Sequence, residues 1–579
     1  MENPDRMKKW LVKADADELE VKKLSEELKV DDLIASLLVQ RGIRSFAEAE
    51  AFFRPKLSDL IDPFLFKNMD LAVDRLSEAI NKNEKVLLFG DYDVDGTSAV
   101  ALLWDILHPL LPKLDFYIPD RYKEGYGLSK QGIDFALENG FSLIITLDCG
   151  IRSVDLIAYG KAEGIDFIVC DHHNPGDELP DAIVLNPKQK DCPYPFKELS
   201  GCGVGWKLLS GYYQKNGLGQ EPLYRRLDLV AISIGADIVS VLGENRILAF
   251  HGLMQLNAQP APAFRILLER AKRAFPVTLT DVVFSIAPRI NAAGRIRSGR
   301  HAVRFMISQS EEEINELADA IEQDNEQRKA LDQQITLEAI EQIETDDQLK
   351  NGHSLVVFND NWHKGVVGIV ASRLVEQYFK PTIVLTLSNG MVTGSARTVN
   401  NFDVHEAITA CSEFLEQFGG HRHAAGLSLR PENLVHFQKR FEQFVAENLH
   451  PDDRFPEQQI DAELSFDQLF LSNENRMHIP RFKRILDQFE PFGPGNMKPV
   501  FLAQNVYSME NRILKEAHLK MRVTQPFHDV ALEVIGFNLA EKQDDVASGM
   551  PFQMAFTLEN NSWKNKQTLQ LNAKDIRPI

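Results

Sequence analysis

Three apolar stretches of this chain each lead directly into side chains that bind metal ions. The acids and histidines that follow residues 85–90, 141–147 and 165–170 are, respectively, Asp91, Asp93 and Asp95; Asp148; and Asp171, His172 and His173. Each stretch has the length and apolar composition of a buried β-strand. Because α/β folds bind ligands beyond the carboxyl ends of parallel strands, the sequence predicts one metal centre built from three strand exits.

The series Asp91-x-Asp93-x-Asp95-Gly96 admits three interpretations. A calcium loop needs an acidic twelfth residue and a preceding helix, but Leu102 stands there and a strand precedes the motif. A phosphatase loop of the haloacid-dehalogenase type, with Asp93 as nucleophile and Thr97 nearby, fits locally. A set of metal ligands beside the N-terminus of a helix over residues 99–107 fits all three strand exits.

Two further features favour the metal interpretation. The pair His172-His173 directly follows a carboxylate at a strand exit, whereas neighbouring histidines alone are often only a surface feature. Asp237 lies in the apolar stretch 234–239, where an acid must be paired, hydrogen-bonded or bound to metal. Carboxylates mixed with imidazoles favour Mn²⁺ over Mg²⁺, which prefers oxygen ligands alone.

The composition is that of a multidomain globular protein. Its 579 residues suggest three or four domains, and 44% hydrophobic content is ordinary for globular cores. No apolar run approaches the roughly 20 residues that span a bilayer, and the first residues lack a signal-peptide core. The five cysteines show no Cys-x-x-Cys spacing, which argues against structural zinc. We therefore expect a cytoplasmic protein with reduced thiols and no membrane partner.

The net charge of −20 opposes a nucleic-acid partner at first sight. The charge is uneven, however. Residues 311–350 carry 14 acidic and 3 basic side chains, whereas residues 285–304 carry five arginines and no acid. A local basic groove for nucleic acid is therefore compatible with the acidic total.

Patterning along the chain predicts an α/β protein with five regions. They are a helical extension (1–80), a parallel-sheet domain (81–310), a long connecting helix (311–350), a smaller α/β domain (351–455) and an antiparallel β-barrel resembling the oligonucleotide-binding, or OB, fold (456–579). Ser310 and Glu313 fit a capping box for the long helix, and the polar residues 325–328 interrupt its apolar stripe. A turn-rich linker, 490–496, precedes most of the predicted barrel.

The strands and turns of these regions are predicted as follows. In the parallel-sheet domain, strands are expected at 85–90, 114–118, 142–147, 166–170 and 182–185. In the smaller α/β domain we expect strands at 354–358, 382–387 and 426–429, a helix at 365–375, and glycine-rich turns at 393–397 and 418–426.

The order of these motifs resembles that of the DHH phosphoesterase superfamily, and the whole chain from about residue 60 resembles its bacterial RecJ branch of single-strand-specific DNA exonucleases. The resemblance is carried by the acids, by Asp171-His172-His173, and by two stretches outside the metal motifs. These are Arg289-Ile290-Asn291-Ala292-Ala293-Gly294-Arg295 and the Gly-Gly-His-x-x-Ala-Ala-Gly series at 419–426, which is similar to the DHHA1 domain. Several motifs in the same order make the match specific, which any one motif would not.

The resemblance implies two divalent cations, Mn²⁺ preferred and Mg²⁺ possible. Asp148 would bridge the metals, and His173 would face the scissile phosphate. The remaining ligands would be Asp93, Asp95, His172 and Asp237, with Asp91 in the position where other superfamily members have a histidine. All of these except Asp91 would also be catalytic.

The resemblance further implies how a strand is held. Ser395 and Arg397 would bind a terminal 5′-phosphate. The assisting residues would be Arg121, Arg289, Asn291, Arg295 and His421. As the alternative, the glycines near 394 and 419 only make turns and His421 only caps a helix. Tyr122, Tyr126 and Trp362 could stack on bases, but each is more commonly a core or interface residue.

The function implied is 5′→3′ hydrolysis of single-stranded DNA to mononucleotides by a two-metal mechanism, in DNA repair and recombination. The implied partners are single-stranded DNA, a helicase and a single-strand-binding protein, with the chain itself a monomer. An alternative enzyme acts on short oligonucleotides, pAp or cyclic dinucleotides. A non-enzymatic alternative is a replication scaffold of the Cdc45 type, which retention of all the acids and both histidines argues against.

Overall fold

The computed structural model describes residues 8–470, 479–526, 531–547, 549–563 and 566–579. They form two compact units. The first unit is Leu19–Glu326 together with Ile485–Lys498. The second unit is the described part of Met1–Glu18 with Gln327–Arg484 and Pro499–Ile579. Residues 1–7 of the predicted extension, and 471–478, 527–530, 548 and 564–565 of the predicted barrel region, lie outside the described residues.

The N-terminal region is helical after one strand. Its elements are β1 (Lys9–Val12), α1 (Glu18–Leu28), α2 (Asp32–Val39), α3 (Phe46–Phe53) and α4 (Met69–Asn81). The short helices agree with the prediction. The strand β1 does not, and it belongs to the second unit.

A five-stranded parallel sheet forms the centre of the first unit, as predicted. Its elements are β2 (Val86–Gly90), α5 (Val94–Leu107), β3 (Leu114–Tyr117), α6 (Lys130–Glu138), β4 (Leu143–Leu147), α7 (Val154–Ala162), β5 (Asp166–Cys170) and β6 (Ile183–Leu185), in the strand order β3-β2-β4-β5-β6. Neighbouring residues of each strand point to opposite faces of the sheet, and both faces are covered. Leu88 and Ile145 belong to one core cluster, and Leu87 and Ile144 to another. Each such buried side chain contributes about 1.5–3 kcal/mol.

The helix after β2 starts earlier than predicted. It begins at Val94 and not at residue 99, because Asp93 caps it by accepting a hydrogen bond from the Gly96 N–H at 3.1 Å. Asp95 therefore lies in the first helical turn. The acidic series is divided between a strand exit, an N-cap and a helix.

Helices complete the first unit and continue along the chain into the second, where the last of them lies. They are α8 (Gly201–Lys215), α9 (Glu221–Tyr224), α10 (Leu227–Ala236), α11 (Gly243–Ala258), α12 (Pro262–Arg270), α13 (Leu279–Asp281), a π-turn (Val282–Ile286), α14 (Ala287–Ile296), α15 (Gly299–Ile307), α16 (Glu311–Thr345) and α17 (Asp347–Asn351). The predicted long helix is α16, and the polar residues 325–328 do not interrupt it. The two units divide between Glu326 and Gln327 inside it.

The capping box at the start of α16 is only half formed. The Glu313 N–H donates to Ser310 Oγ at 3.3 Å, as predicted. The Glu313 carboxylate, however, accepts from Ser308 and Arg304, both at 2.7 Å. An arginine close by competes successfully for a carboxylate that would otherwise turn back to the N-cap.

A second sheet lies in the second unit. Its region comprises β7 (Leu355–Phe358), α18 (Val367–Tyr378), β8 (Thr382–Ser388), β9 (Met391–Arg397), α19 (Val404–Thr409), β10 (Gln417–His421), β11 (Ala424–Leu429), α20 (Leu434–Asn448) and β12 (Glu457–Ile460), in the order β10-β11-β9-β8-β7. Only β7 and β8 run parallel.

The glycine-rich turn predicted at 393–397 is wrong, whereas the one predicted at 418–426 is partly right, because Arg422 and His423 make the turn of a hairpin there. Residues 393–397 lie in β9, and 418–426 form the hairpin β10–β11. The glycines serve close approach and not chain reversal: a Cβ on Gly394 would come 2.0 Å from the Val384 carbonyl oxygen of the neighbouring strand.

The C-terminal region is a closed five-stranded barrel. Its elements are β13 (Ala462–Glu463), α21 (Arg481–Asp487), β14 (Phe501–Leu514), β15 (His518–Thr524), β16 (Leu532–Gly536), α22 (Gln543–Ala547), β17 (Phe552–Trp563) and β18 (Lys566–Pro578). The order β14-β15-β16-β18-β17 closes through β14 and β17. The barrel is not wholly antiparallel as predicted, because β16 and β18 run parallel. Strand β1 pairs with β12.

Two other expectations can be compared with the described residues. All five cysteines are buried and none forms a disulfide. None of the helices in the described part of the chain combines the length and the hydropathy needed to cross a membrane.

Candidate metal centre

The strand register brings the predicted acids to one edge of the parallel sheet. Gly90, Leu147 and Cys170 end β2, β4 and β5 side by side. The next residue of each strand continues the ladder: the Asp91 N–H donates to the Leu147 carbonyl at 3.3 Å, and the Asp148 N–H donates to the Cys170 carbonyl at 2.9 Å. The prediction that the three strand exits meet is therefore confirmed by the geometry.

His172 lies among three of the predicted carboxylates. Its Nε2 is 3.2 Å from an oxygen of Asp148, 3.5 Å from Asp237 and 3.8 Å from Asp95. The His172 side chain is buried, and Asp237 reaches it as the C-cap residue of α10. The arrangement of one imidazole and three carboxylates is suited to a divalent cation.

A second group shares Asp148 with the first. Asp91, Asp93 and Asp148 place one ligand atom each within 4.8 Å of one another. Asp148 adopts a left-handed conformation with φ +60°, which is rare for a residue other than glycine and is concentrated at functional sites. A Cβ on Gly201 would come 2.6 Å from the Cβ of Asp148, so only glycine fits opposite it.

Asp95 is held by the N-terminus of α8. Its carboxylate accepts from the backbone N–H groups of Gly201 and Cys202, both at 2.7 Å, and from Ser233 Oγ at 2.7 Å. The amide groups at a helix N-terminus stabilise an anion. Neither Gly201 nor Ser233 was predicted, because these contacts join elements more than 100 residues apart in sequence.

His173 is oriented by Asp171 and Tyr126. Its Nδ1 lies 2.8 Å from Asp171 Oδ1, and its Nε2 lies 3.0 Å from the Tyr126 hydroxyl. Asp171 also accepts from the Ile151, His172 and His173 N–H groups at 2.9, 2.7 and 3.0 Å. The sequence predicts only base stacking for Tyr126. Its position between two glycines was the available sign that its side chain contacts the site.

Burial and mutual repulsion raise the pKa of most of these acids. Burial, followed by the charge of Asp95, raises the pKa of both Asp148 and Asp93. Burial and the charges of Asp95 and Asp93 raise the pKa of Asp237 to about 8. Burial and then Asp93 raise that of Asp91. Acids clustered in this way are costly unless protons or cations neutralise them.

The pKa values of the two histidines shift in opposite directions. Burial lowers the pKa of His172, which favours the neutral imidazole that ligates metal. Burial also acts on His173, but the hydrogen bond and charge of Asp171 outweigh it, and the pKa of His173 is raised. The predicted separation of roles between a ligand and a phosphate contact agrees with this difference.

Buried polar atoms at the site fit the cations that the resemblance implies. Within the described part of the chain, Asp91 Oδ2, Asp148 Oδ1 and both ring nitrogens of His172 are buried without a hydrogen-bond partner. Buried groups of this kind are normally satisfied, and leaving one unsatisfied costs about 1–3 kcal/mol. Metal ligation would satisfy the two carboxylate oxygens and one ring nitrogen of His172, so the residues present fit divalent cations.

Of the arginines predicted to bind the strand, Arg289 already has a carboxylate partner, as do other arginines of the basic segment 285–304. Arg289 Nε donates to Glu322 at 2.6 Å and Arg297 lies 2.8 Å from Asp324, so the basic segment 285–304 pairs with the acidic helix α16. The expected basic groove is therefore partly neutralised. Arg121 stacks on the Tyr92 ring at 4.8 Å. The half-buried Asn291 and Arg295 lie on α14.

The remaining predicted contacts lie on the second sheet. Ser395 and Arg397 alternate along β9, and Arg397 Nη1 donates to Ser395 Oγ at 2.6 Å. His421 on β10 is exposed, and it lies in the row Arg397–Ala424–His421 across the sheet. Because directly paired residues point to one face, Arg397 and His421 share a face. His421 is in a strand and does not cap a helix.

The aromatic candidates have separate roles. Trp362 is buried, and its indole N–H donates to Glu338 at 2.7 Å, so it is a core residue. The Tyr122 hydroxyl donates to the Arg295 carbonyl. Tyr126 alone of the three candidates is exposed beside the acidic cluster.

Comparisons with known proteins agree with this architecture. Models of the DHH family N-terminal domain, the DHHA1 domain and the RecJ OB domain match residues 85–234, 351–447 and 460–575. A single-stranded-DNA-specific exonuclease RecJ of Bacillus subtilis is 36% identical over 565 residues, covering 96% of this chain and 70% of the relative. The RecJ of Escherichia coli is 31% identical, covering 94% and 96%.

A solved structure has the same fold. The RecJ of Thermus thermophilus in complex with Mn²⁺ superimposes with a TM-score of 0.85 at 27% identity, covering 100% of this chain and 80% of that chain. A Mg²⁺ complex from the same organism gives 0.78 at 25%, covering 99% and 78%.

Fold and site together define a DHH-type phosphoesterase architecture, with DHH, DHHA1 and OB domains in this order. At the identity and coverage just given, the chain belongs to the RecJ family.

Proposed function

We propose that this protein is a metal-dependent exonuclease that degrades single-stranded DNA from the 5′ end and releases 5′-mononucleotides. The observation that carries the proposal is the buried acidic cluster, in which Asp148 belongs both to a group with His172 and to a group with Asp91 and Asp93. A shared carboxylate is the arrangement that two neighbouring divalent cations require. The names of the relatives support the substrate class.

Two sets of residues would hold the cations, Mn²⁺ in preference to Mg²⁺. Asp91, Asp93 and Asp148 form one set. The other consists of Asp148 with Asp95, His172 and Asp237. When bound, such cations activate water and offset the charge that develops on a phosphate in hydrolysis.

The protein's own side chains would orient the phosphate. Asp171 is fully buried, and it holds one nitrogen of His173 while Tyr126 holds the other. This pair fixes the ring plane, and the raised pKa of His173 favours a cationic ring, whose Nε2–H would donate to a phosphate oxygen in place of the Tyr126 hydroxyl. His173 is thus proposed as a catalytic phosphate contact, with Asp171 and Tyr126 as positioning residues.

Recognition of the 5′ end is assigned to the second unit. Ser395 and Arg397 present a hydroxyl and a guanidinium side by side, which suits the several oxygens of a terminal phosphate. His421 on the same face and Arg121 beside Tyr92 are proposed to assist. Asn291 and Arg295 remain candidate strand contacts, as does Arg289 if it releases Glu322.

The wider biology is also proposed. We propose that the five predicted regions act as domains. The closed barrel would lead the strand towards the metal centre or bind a partner. We further propose a role in DNA repair and recombination, with a helicase and a single-strand-binding protein as partners. The chain would act as a monomer in the cytoplasm.

End-labelled substrates test the activity directly. With Mn²⁺ and a single strand of about 40 nucleotides, we expect the 5′ label to leave first as a mononucleotide, while a duplex of the same sequence persists. Release of the 3′ label first would contradict the polarity. Substrates from 2 to 40 nucleotides separate the rival enzymes, since a phosphodiesterase of dinucleotides would prefer the shortest. No metal-dependent cleavage of any of them would favour a scaffold.

A further inference from the structure

Gly368 is a glycine inside a helix, where glycine is unfavourable. It is the second residue of α18, in the sequence Val366-Val367-Gly368-Ile369. Glycine in a helix interior costs about 0.5–1 kcal/mol relative to alanine, and Gly368 lies in the first turn. Its backbone does not lie in the left-handed region, so conformation does not require glycine there. The space beside its Cα offers a reason.

That space is occupied by the proposed 5′-phosphate residues. A Cβ built on Gly368 would lie 3.1 Å from Arg397 Nη2 and 3.1 Å from Ser395 Oγ, and 3.4 Å from Ser395 Cβ. No other glycine of the described residues has a Cβ position whose three nearest atoms all belong to these two side chains. Distances of this kind require the neighbouring atoms to shift by a few tenths of an ångström.

The two side chains would respond differently to an added methyl group. Ser395 is short and its Cβ is fixed by β9, which pairs on both sides with β8 and β11. Arg397 ends in a flexible guanidinium, whose Nη1 donates to Ser395 Oγ at 2.6 Å and to the Ala396 carbonyl at 2.7 Å. The guanidinium would therefore move, which costs the fold little but changes the geometry of an anion site.

We propose that Gly368 is a specificity-determining residue, which by lacking a side chain keeps Arg397 and Ser395 in register for a terminal phosphate monoester. This inference rests on the proposed function of that pair. It adds Gly368 to the proposed phosphate site of Ser395 and Arg397, which the sequence motifs did not indicate. Gly368 acts through Arg397 and is a positioning residue, with no contact of its own to the phosphate required.

The test compares binding of a 5′-phosphorylated and a 5′-hydroxyl single strand to the full-length protein, without divalent cations so that nothing is cleaved. The readout is the ratio of the two affinities within each variant, which the fraction of folded protein does not change. We expect a preference of about tenfold for the phosphate in the unsubstituted protein. In Gly368→Ala the preference should fall to about threefold or less, with an unchanged melting temperature.

A matched control perturbs the same helical turn without adding an atom. Ser372 Oγ donates to the Gly368 carbonyl at 3.2 Å, so Ser372→Ala removes a contact of that turn while leaving the space beside Ser395 empty. Its phosphate preference should equal that of the unsubstituted protein. Loss of the preference in Ser372→Ala as well would mean that any disturbance of α18 has this effect, and would overturn the specific role of Gly368.

A double-mutant cycle tests whether Gly368 acts through Arg397. Arg397→Lys replaces the broad guanidinium by a narrow ammonium that keeps the charge, so the preference that remains in that background should not fall further in Gly368→Ala. Full additivity would overturn the inference. If the unsubstituted protein shows no preference, the proposed phosphate pocket itself fails. If Arg397→Lys lowers the preference but Gly368→Ala keeps it, the pocket stands and the role of Gly368 falls.

Discussion

The metal centre of the first unit and the Ser395–Arg397 pair of the second unit have opposite surroundings. Asp148 and His172 are buried. Asp148 Oδ1 and both ring nitrogens of His172 have no hydrogen-bond partner among the described residues. Ser395 and Arg397 are half-buried and hydrogen-bonded to each other. One region concentrates like charges that need cations, whereas the other presents a cation and a hydroxyl that need an anion.

The difference indicates a division of labour. Buried acids with raised pKa values cost folding energy and are retained where chemistry requires them. An arginine on a sheet face costs little and can select one end of a strand. Substitutions in the first region should therefore reduce the chemical rate, and substitutions in the second should change which ends are accepted.

The largest effect is expected for Asp148→Asn. Removing the charge of the carboxylate shared by both metal groups should lower kcat about 10³-fold, because several kcal/mol of cation-dependent stabilisation are lost. Folding should be retained, since a buried, repelled charge disappears. Asp115→Asn, a half-buried acid on β3 of the same sheet, is the matched control and should keep full activity. Equal rates for the two variants at saturating Mn²⁺ would contradict the metal centre.

A smaller effect should separate the two histidines. His173→Asn should lower kcat about 10²-fold at saturating Mn²⁺ with little change in Mn²⁺ affinity, because its ring is held for a phosphate. His172→Asn should instead weaken Mn²⁺ binding, since three carboxylates surround its Nε2. Mn²⁺ titrations of activity measure both quantities. The reverse pattern would exchange the two roles.

In the second region, Arg397→Lys should cost about threefold in kcat/KM on 5′-phosphorylated strands and leave kcat unchanged. A lysine keeps the charge but loses the planar fork that contacts two oxygens. Competition between 5′-phosphorylated and 5′-hydroxyl strands measures the effect. A fall in kcat on both substrates would place Arg397 in the chemical step and remove the contrast between the regions.

The smallest effect concerns pH. Asp237 has a pKa of about 8 in the metal-free fold against an ordinary value of 3.8, so its proton stabilises that fold fully below 3.8 and this stabilisation is lost as pH rises through about 8. The melting temperature of the metal-free protein should fall by a few degrees between pH 6 and 8.5. Added Mn²⁺ should raise it more at pH 8 than at pH 6, because protons compete with the cation. A Mn²⁺ effect independent of pH would contradict the titration of this cluster.

The sequence predicted the first region better than the second. Short apolar strands followed by Asp91, Asp148 and Asp171 define both the sheet and the edge at which the acids meet, since each signal is local. The contacts of Asp95 with Gly201 and Ser233 could not be predicted, because they join distant elements. Similarly, the engagement of Arg289 by Glu322 depends on how α16 packs.

In the second region, glycine was interpreted through its most common role. The glycines at 394 and 419–420 suggested turns, whereas they lie within paired strands. The role of Gly368 could not be predicted from the sequence, because the atoms beside it belong to a strand almost 30 residues later. A glycine required by tertiary contact has no local sequence signal.

The most direct test of the account is to locate Mn²⁺ in crystals of this protein by anomalous scattering. We predict two peaks about 3.5–4 Å apart, both within ligand distance of Asp148, with His172 and Asp237 on one of them and Asp91 and Asp93 on the other. Absence of any peak at Asp148 under Mn²⁺ concentrations that support cleavage would contradict the assignment of the catalytic centre.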